Sequence, residues 1–166
     1  MLRWGMVAAV LSGSVASADP IPAGSPLTAI CDLVCGQWEP EAIDDEHNAD
    51  SFKLELHWDA ASGELRGTQT AFGGQNGTIT HHLAFRADHE RDITLVVSSA
   101  GGMRAESPVR VGEGVFEVVS LAAGNPTITS ITTWTLLPDG RLRLERAESA
   151  AHYNYGFGEQ YYRKAR

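Results

Sequence analysis

From Gly36 to the C-terminus, the chain is a series of short segments in which apolar and polar residues alternate and which end at turn signals. The clearest segment spans residues 51–58, where the apolar positions are Phe52, Leu54, Leu56 and Trp58. Successive side chains of a strand point to opposite faces, so strict alternation is typical of a strand with one buried face. The C-terminal part of the chain is therefore predicted to be built from half-buried strands.

The pattern gives nine or ten consecutive strands, the first at residues 37–43 and the last at 160–163, with short connections such as Pro138-Asp139-Gly140. Short connections favour antiparallel neighbours, and the alternation argues against a parallel sheet buried on both faces. A long meander leaves two unpaired edges, which closure removes. We predict an all-β fold, a closed antiparallel up-and-down barrel of eight to ten strands with a short N-terminal helix.

The first eighteen residues have the layout of a secretory signal peptide. Arg3 precedes the apolar run Met6–Leu11, and Ala16-Ser17-Ala18 supplies small residues for cleavage. The run is too short for a lasting membrane anchor. We expect residues 1–18 to be removed, leaving 19–166 as one β-barrel domain that is soluble and periplasmic or secreted.

The charge balance disfavours two classes of partner. The chain has a formal charge of -8, and loss of Arg3 with the signal peptide leaves 12 basic against 21 acidic residues, or -9. A negative field disfavours nucleic acid and anionic lipid surfaces. No later segment has the roughly 20 apolar residues of a membrane helix, so no membrane span is predicted. The pattern defines no oligomeric state.

A short helix is predicted before the first strand. Ser25 is suited to the N-cap, Pro26 to the first helical position and Gly36 to the stop, with Leu27, Ile30 and Val34 packing inward. Helical spacing places Cys31 and Cys35 on one face, which makes them candidates for a disulfide in an exported protein. The bridged and unbridged states both remain open, and two ligands do not make a structural zinc site.

Three short motifs carry a resemblance to a known family. They are the Gly36-Gln37-Trp38 opening, the 56–68 hairpin and the closing Tyr161-Tyr162-Arg163. With them the chain resembles the lipocalin-like, or calycin, β-barrels, and in particular uncharacterised bacterial secreted lipocalin-like domains. The resemblance implies a structural role for Trp38, which would close one end of the barrel with Arg163 or Arg143 against its indole.

The predicted inner face is apolar and aromatic, which suits a small, largely apolar ligand in the lumen. An equally open reading is a barrel filled by its own side chains. The candidate lumen residues are Phe52, Leu54, Leu56, Trp58, His81, Leu83, Phe85, Phe116, Trp134 and Leu144.

His81 is the one candidate on this face with acid–base chemistry. It is interpreted either as a hydrogen-bonded core residue or as a general acid or base of a lumen enzyme. Its neighbour His82 must point to the opposite side, so the two cannot bind one metal ion. We assign no catalytic residue, metal or cofactor from the sequence. The favoured hypothesis is a binder, with an enzyme or a filled-core interaction protein as alternatives.

Overall fold

The computed structural model describes residues 19–41, 52–71, 78–122, 127–148 and 157–165. These ranges contain one helix and ten strands. The elements are α1 (Pro26–Val34), β1 (Gly36–Pro40), β2 (Phe52–Asp59), β3 (Glu64–Ala71), β4 (Ile79–Asp88), β5 (Ile93–Ala100), β6 (Met103–Gly112), β7 (Val115–Leu121), β8 (Ile128–Leu136), β9 (Leu142–Glu148) and β10 (Phe157–Lys164).

Each strand pairs antiparallel with the next along the chain, and β1 also pairs with β10, so the sheet closes into a barrel. The predicted closed antiparallel meander with a short N-terminal helix is confirmed, at the upper limit of the predicted strand number. β1 is shorter than predicted and ends at Pro40, while β10 is longer and begins at Phe157. Closure leaves no unpaired edge between the first and last strands.

The helix lies across one end of the barrel. The Ser25 hydroxyl caps α1 by accepting from the backbone N–H of Leu27 at 3.2 Å. The helix packs against β2, β3, β4, β6 and β8. Its buried side chains are Leu27, Ile30, Leu33 and Val34. Because one apolar face is covered by the strands, α1 closes what we call the plugged end of the barrel.

Gly36 joins the helix to β1 through a backbone conformation that side chains rarely adopt. Its φ is +118°, and an added Cβ would lie 2.9 Å from Cε of Lys164. Glycine is suited to this position because it has no Cβ. The chain can therefore turn from α1 directly into the first strand.

The core of the barrel is aromatic near the plugged end. Four rings form what we call the aromatic floor: Phe85, Phe116, Trp134 and Tyr162. Phe116 stacks on Trp134 with ring centroids 5.9 Å apart, and Phe85 meets Phe116 edge-on at 6.0 Å. Burial of an apolar side chain of this size stabilises a fold by about 1.5–3 kcal/mol. The floor thus holds together strands that are distant in sequence.

Among the residues that the structure describes, no helix combines the length and apolar character needed to cross a membrane. The predicted signal peptide, residues 1–18, lies outside the described ranges. Its cleavage and the boundary at Asp19 stay predictions.

Candidate functional site: the mouth half of the lumen

Most of the predicted lumen residues lie on the inner face and are buried. The buried ones are Leu54, Leu56, Phe85, Phe116, Trp134 and Leu144. Trp58 and Leu83 are partly exposed but pack against the same core. Phe52 begins β2 opposite Ala71, and its side chain lies outside the described part of the structure. Several predicted lining residues are therefore part of the packed core.

An arc of polar side chains lies on the inner wall of β3 to β8, farther from the helix. We call it the inner polar belt, and its members are Gln69, His81, Ser98, Ser107, Ser120 and Ser130. The strand register supports their inner-face positions: Gln69 pairs with His81 and with the core residue Leu54, and Ser107 pairs with the core residue Val96. Six adjacent strands, from β3 to β8, contribute one member each. The inner wall is therefore polar at this level.

His81 and Ser98 form the one hydrogen-bonded pair identified within the belt. The His81 Nδ1 and Ser98 Oγ atoms lie 3.5 Å apart, on β4 and β5, and both residues are partly exposed. The neighbouring pair His82 and Ser99 lies in register on the outer face, with His82 exposed. One histidine–serine pair therefore lies on the inner face, and a second histidine–serine pair lies on the outer face.

Apolar residues lie on the inner face both below and above the belt. Toward the helix, the inner-face residues Leu83 and Val118 pack against the core yet keep partial exposure. At the opposite end, which we call the mouth, Ile79 is 46% exposed and Met103 is 75% exposed. Partly exposed inner-face residues inside a closed barrel show that the mouth half is less tightly packed than the aromatic floor.

The predicted arginine partner of Trp38 is wrong. Trp38 is buried, as its predicted structural role requires, but the cation over its ring is Lys164, with Nζ 5.7 Å from the centroid. Arg163 pairs in register with Glu39 and donates to Glu41 at 2.7 Å. Adjacent residues of β10 point to opposite sides, so Lys164 and Arg163 cannot both face the indole.

Arg143, the other predicted partner, also lies away from Trp38. It pairs in register with Thr135 and Tyr161 and forms a salt bridge with Glu145 at 3.0 Å. Its register partners place it on the outer wall, whereas the Trp38 ring is part of the core. Neither predicted arginine therefore lies over the Trp38 ring, where the cation is Lys164.

A cluster of charged residues lies on the outer wall where β1 pairs with β10, a boundary that we call the seam, and stabilises this pairing. Glu41 accepts from Arg163 at 2.7 Å and from Arg141 at 3.3 Å. The Arg163 hydrogen bond is the main cause that lowers the pKa of the Glu41 carboxyl below its ordinary value. Arg141 also donates to Asp139 and lies 5.0 Å from the Tyr161 ring centroid. These paired charges serve the closure of the barrel rather than the lumen.

The two cysteines are joined by a disulfide. Cys31 and Cys35 have Cα atoms 4.6 Å apart, at the end of α1, and both pack against the core. No group of three or more histidine, cysteine, aspartate or glutamate side chains in the described ranges could hold a metal ion.

The belt serines were missed by sequence reasoning because serine was not counted as a lining residue. Ser98, for example, is not among the predicted lumen residues. The alternation of side chains along each strand contained this information. Ser98 lies two residues after Val96, so the two side chains lie on the same face. The same alternation along the neighbouring strands would have identified the other members of the inner polar belt.

The fold and the belt define the class of molecule as a ten-stranded antiparallel barrel with a helix at one end and a polar inner wall. No protein-family model matches the chain, and neither the curated proteins nor the solved structures compared with it give a significant match.

Proposed function

We propose that this protein is an exported carrier that binds a small, largely apolar molecule in the mouth half of its barrel. The observation that supports the proposal is the partial exposure of Leu83 and Val118, which lie on the inner face of a closed barrel. Apolar side chains that remain accessible in a concave space suit an apolar ligand. The resemblance to lipocalin-like barrels points to the same function.

Native mass spectrometry tests the proposal directly. The protein purified from its own exported compartment is compared with the same sample after denaturation. A difference between the two masses would report a bound molecule, and equal masses would argue against a tightly held ligand. N-terminal sequencing of the same sample tests export, because cleavage after Ala18 gives Asp19 as the first residue.

A pair of variants tests whether the binding site lies in the lumen. Leu83→Trp would fill space on the inner face, whereas Ala84→Trp adds the same side chain on the outer face of the same strand. Binding is followed with the neutral dye N-phenyl-1-naphthylamine, which fluoresces in apolar sites. We expect Leu83→Trp to weaken dye binding at least tenfold and Ala84→Trp to leave it unchanged. Equal binding by both variants and the parent would contradict a lumen site.

A second candidate function is an enzyme of the lumen with His81 as acid or base, which the hydrogen bond between His81 and Ser98 favours. General acid–base catalysis predicts that His81→Ala lowers turnover by roughly 100-fold or more. His82→Ala is the matched control on the outer face. Hydrolysis of simple esters is measured with both variants to test the enzyme hypothesis. Equal activities of the two variants would exclude an acid–base role for His81. A filled-core interaction protein would bind neither dye nor substrate.

A further inference from the structure

We infer that the ligand is an amphiphile whose uncharged, hydroxyl-bearing head points inward to the inner polar belt and whose apolar part points to the mouth. This inference rests on the proposed function and names the ligand class and its orientation.

The belt makes a wholly apolar ligand unfavourable. Gln69, His81 and Ser98 are partly exposed, so water can reach them. A molecule without polar atoms would displace that water and leave the groups without replacement hydrogen bonds, which is costly. A hydroxyl group both donates and accepts, so it can replace water at each of these three residues. The belt therefore selects for a hydroxyl-bearing head.

The same wall disfavours an ionised head. The serine and glutamine members of the belt carry no charge, and burial of an ion without an opposite charge is strongly unfavourable. Arg146 lies on β9 beside Thr132, but it is exposed and already has an interaction of its own. The net charge of -8 further opposes anions. An uncharged head fits these groups best.

The order of layers sets the orientation. Below the belt, Leu83 and Val118 keep only partial exposure and pack against the core, and beneath them Phe85 is 3% exposed and Phe116 is 1% exposed, so little apolar surface remains uncovered there. Above it, Ile79 and Met103 present exposed apolar surface at the mouth. An apolar tail gains more from covering the exposed residues than from the packed floor. The head therefore lies deeper than the tail.

Dye displacement with octane, 1-octanol, octanoate and octylammonium tests the head group on the exported protein. We expect 1-octanol to bind at least tenfold more tightly than either ion. Ser98→Ala should weaken 1-octanol about fivefold, the effect of one hydrogen bond, and should not weaken octane. Ser99→Ala, on the outer face, is the matched control and should change neither. His81→Leu with His82→Leu repeats the comparison in case Ser98→Ala does not fold.

Orientation is tested by Ile79→Ser at the mouth against Ile93→Ser, which lies on the outer wall near the plugged end. The first should weaken the binding of both octane and 1-octanol about tenfold, and the second should weaken neither.

Three results would overturn the inference while the dye still binds. They are an unchanged affinity for 1-octanol in Ser98→Ala and His81→Leu, tightest binding of one of the ions, and no effect of Ile79→Ser. Failure of the dye and of all four probes to bind would instead overturn the proposed function.

Discussion

Trp38 donates its indole N–H to the backbone carbonyl of Val34 at 3.0 Å, and this buried hydrogen bond joins β1 to the last turn of α1. The helix that plugs the barrel is thus held by the first strand as well as by its own apolar face. The Lys164 ammonium group above the same ring adds a contact from β10. One side chain therefore connects the helix, the first strand and the last strand.

Trp38→Phe is expected to lower the free energy of unfolding by about 1–3 kcal/mol, because it removes the donor and leaves a buried carbonyl without it. Trp58→Phe is the matched control: its indole donates to the backbone carbonyl of Asp19 at an exposed position. That variant should lose less than about 1 kcal/mol. Urea unfolding measures both, and equal losses would contradict the role assigned to the Trp38 bond.

The lowered pKa of the Glu41 carboxyl predicts how the stability of the fold depends on pH. Its pKa lies below the ordinary 4.5, mainly because Arg163 donates to it. Such a carboxylate stabilises the fold above its unfolded pKa, and the contribution is lost as pH falls through the folded pKa. Glu41→Gln should therefore flatten the loss of stability below about pH 4.5, measured by urea unfolding at a series of pH values.

Arg163→Gln provides an independent check of this seam. It removes the main cause of the lowered Glu41 pKa and should flatten the same part of the pH profile, while its outward position leaves the lumen unaffected. If both variants kept the parent's pH profile, the seam cluster would have no part in acid stability.

The Cys31–Cys35 disulfide closes a loop of only a few residues at the end of α1. In the chain-entropy model a loop this short contributes about 2 kcal/mol. Replacing both cysteines with alanine should lower the unfolding free energy by that amount and keep the circular dichroism of the barrel. Dithiothreitol should destabilise the parent and not the variant. A parent protein that is insensitive to the reductant would refute this.

Gly67 should be among the least replaceable residues of the barrel. An added Cβ there would overlap the backbone carbonyl oxygen of Glu55 on β2. Gly67→Ala should therefore cost more than about 3 kcal/mol of unfolding free energy or prevent folding. Gly112→Ala is the control, because its added Cβ would lie 3.1 Å from a side-chain carbon of Val115 and 3.8 Å from the backbone oxygen of the same residue, without overlap. It should cost less than about 1 kcal/mol, and similar losses in thermal unfolding would disprove the steric argument.

Local patterns predicted the architecture but not its exact register. The alternation in residues 51–58 identified β2, and Ser25-Pro26 with Gly36 identified α1. The cation at Trp38 could not be predicted because it depends on the pairing of β1 with β10. A shift of one residue in that pairing exchanges the faces of Arg163 and Lys164.

The candidate site was predictable only in part for a similar reason. An apolar inner face follows from residues such as Leu54 and Phe85, which are buried as expected. Whether an inner-face residue packs or remains accessible depends on its depth in the barrel, which the sequence of a single strand does not contain. His81 and Phe85 share one face of β4, yet one is partly exposed at the belt and the other lies in the floor.

The contact between β1 and β10 has a consequence for how the chain folds. Glu41 and Arg163 are separated by 122 residues, so the seam cannot form until nearly the whole chain is present. Contacts of such long range carry a large loop-closure entropy and slow folding. Until the last strand arrives, β1 and β9 each lack a partner along one side, and such edges invite pairing with other chains. Pairing of β10 with β1 and β9 is thus the step that protects the molecule from aggregation.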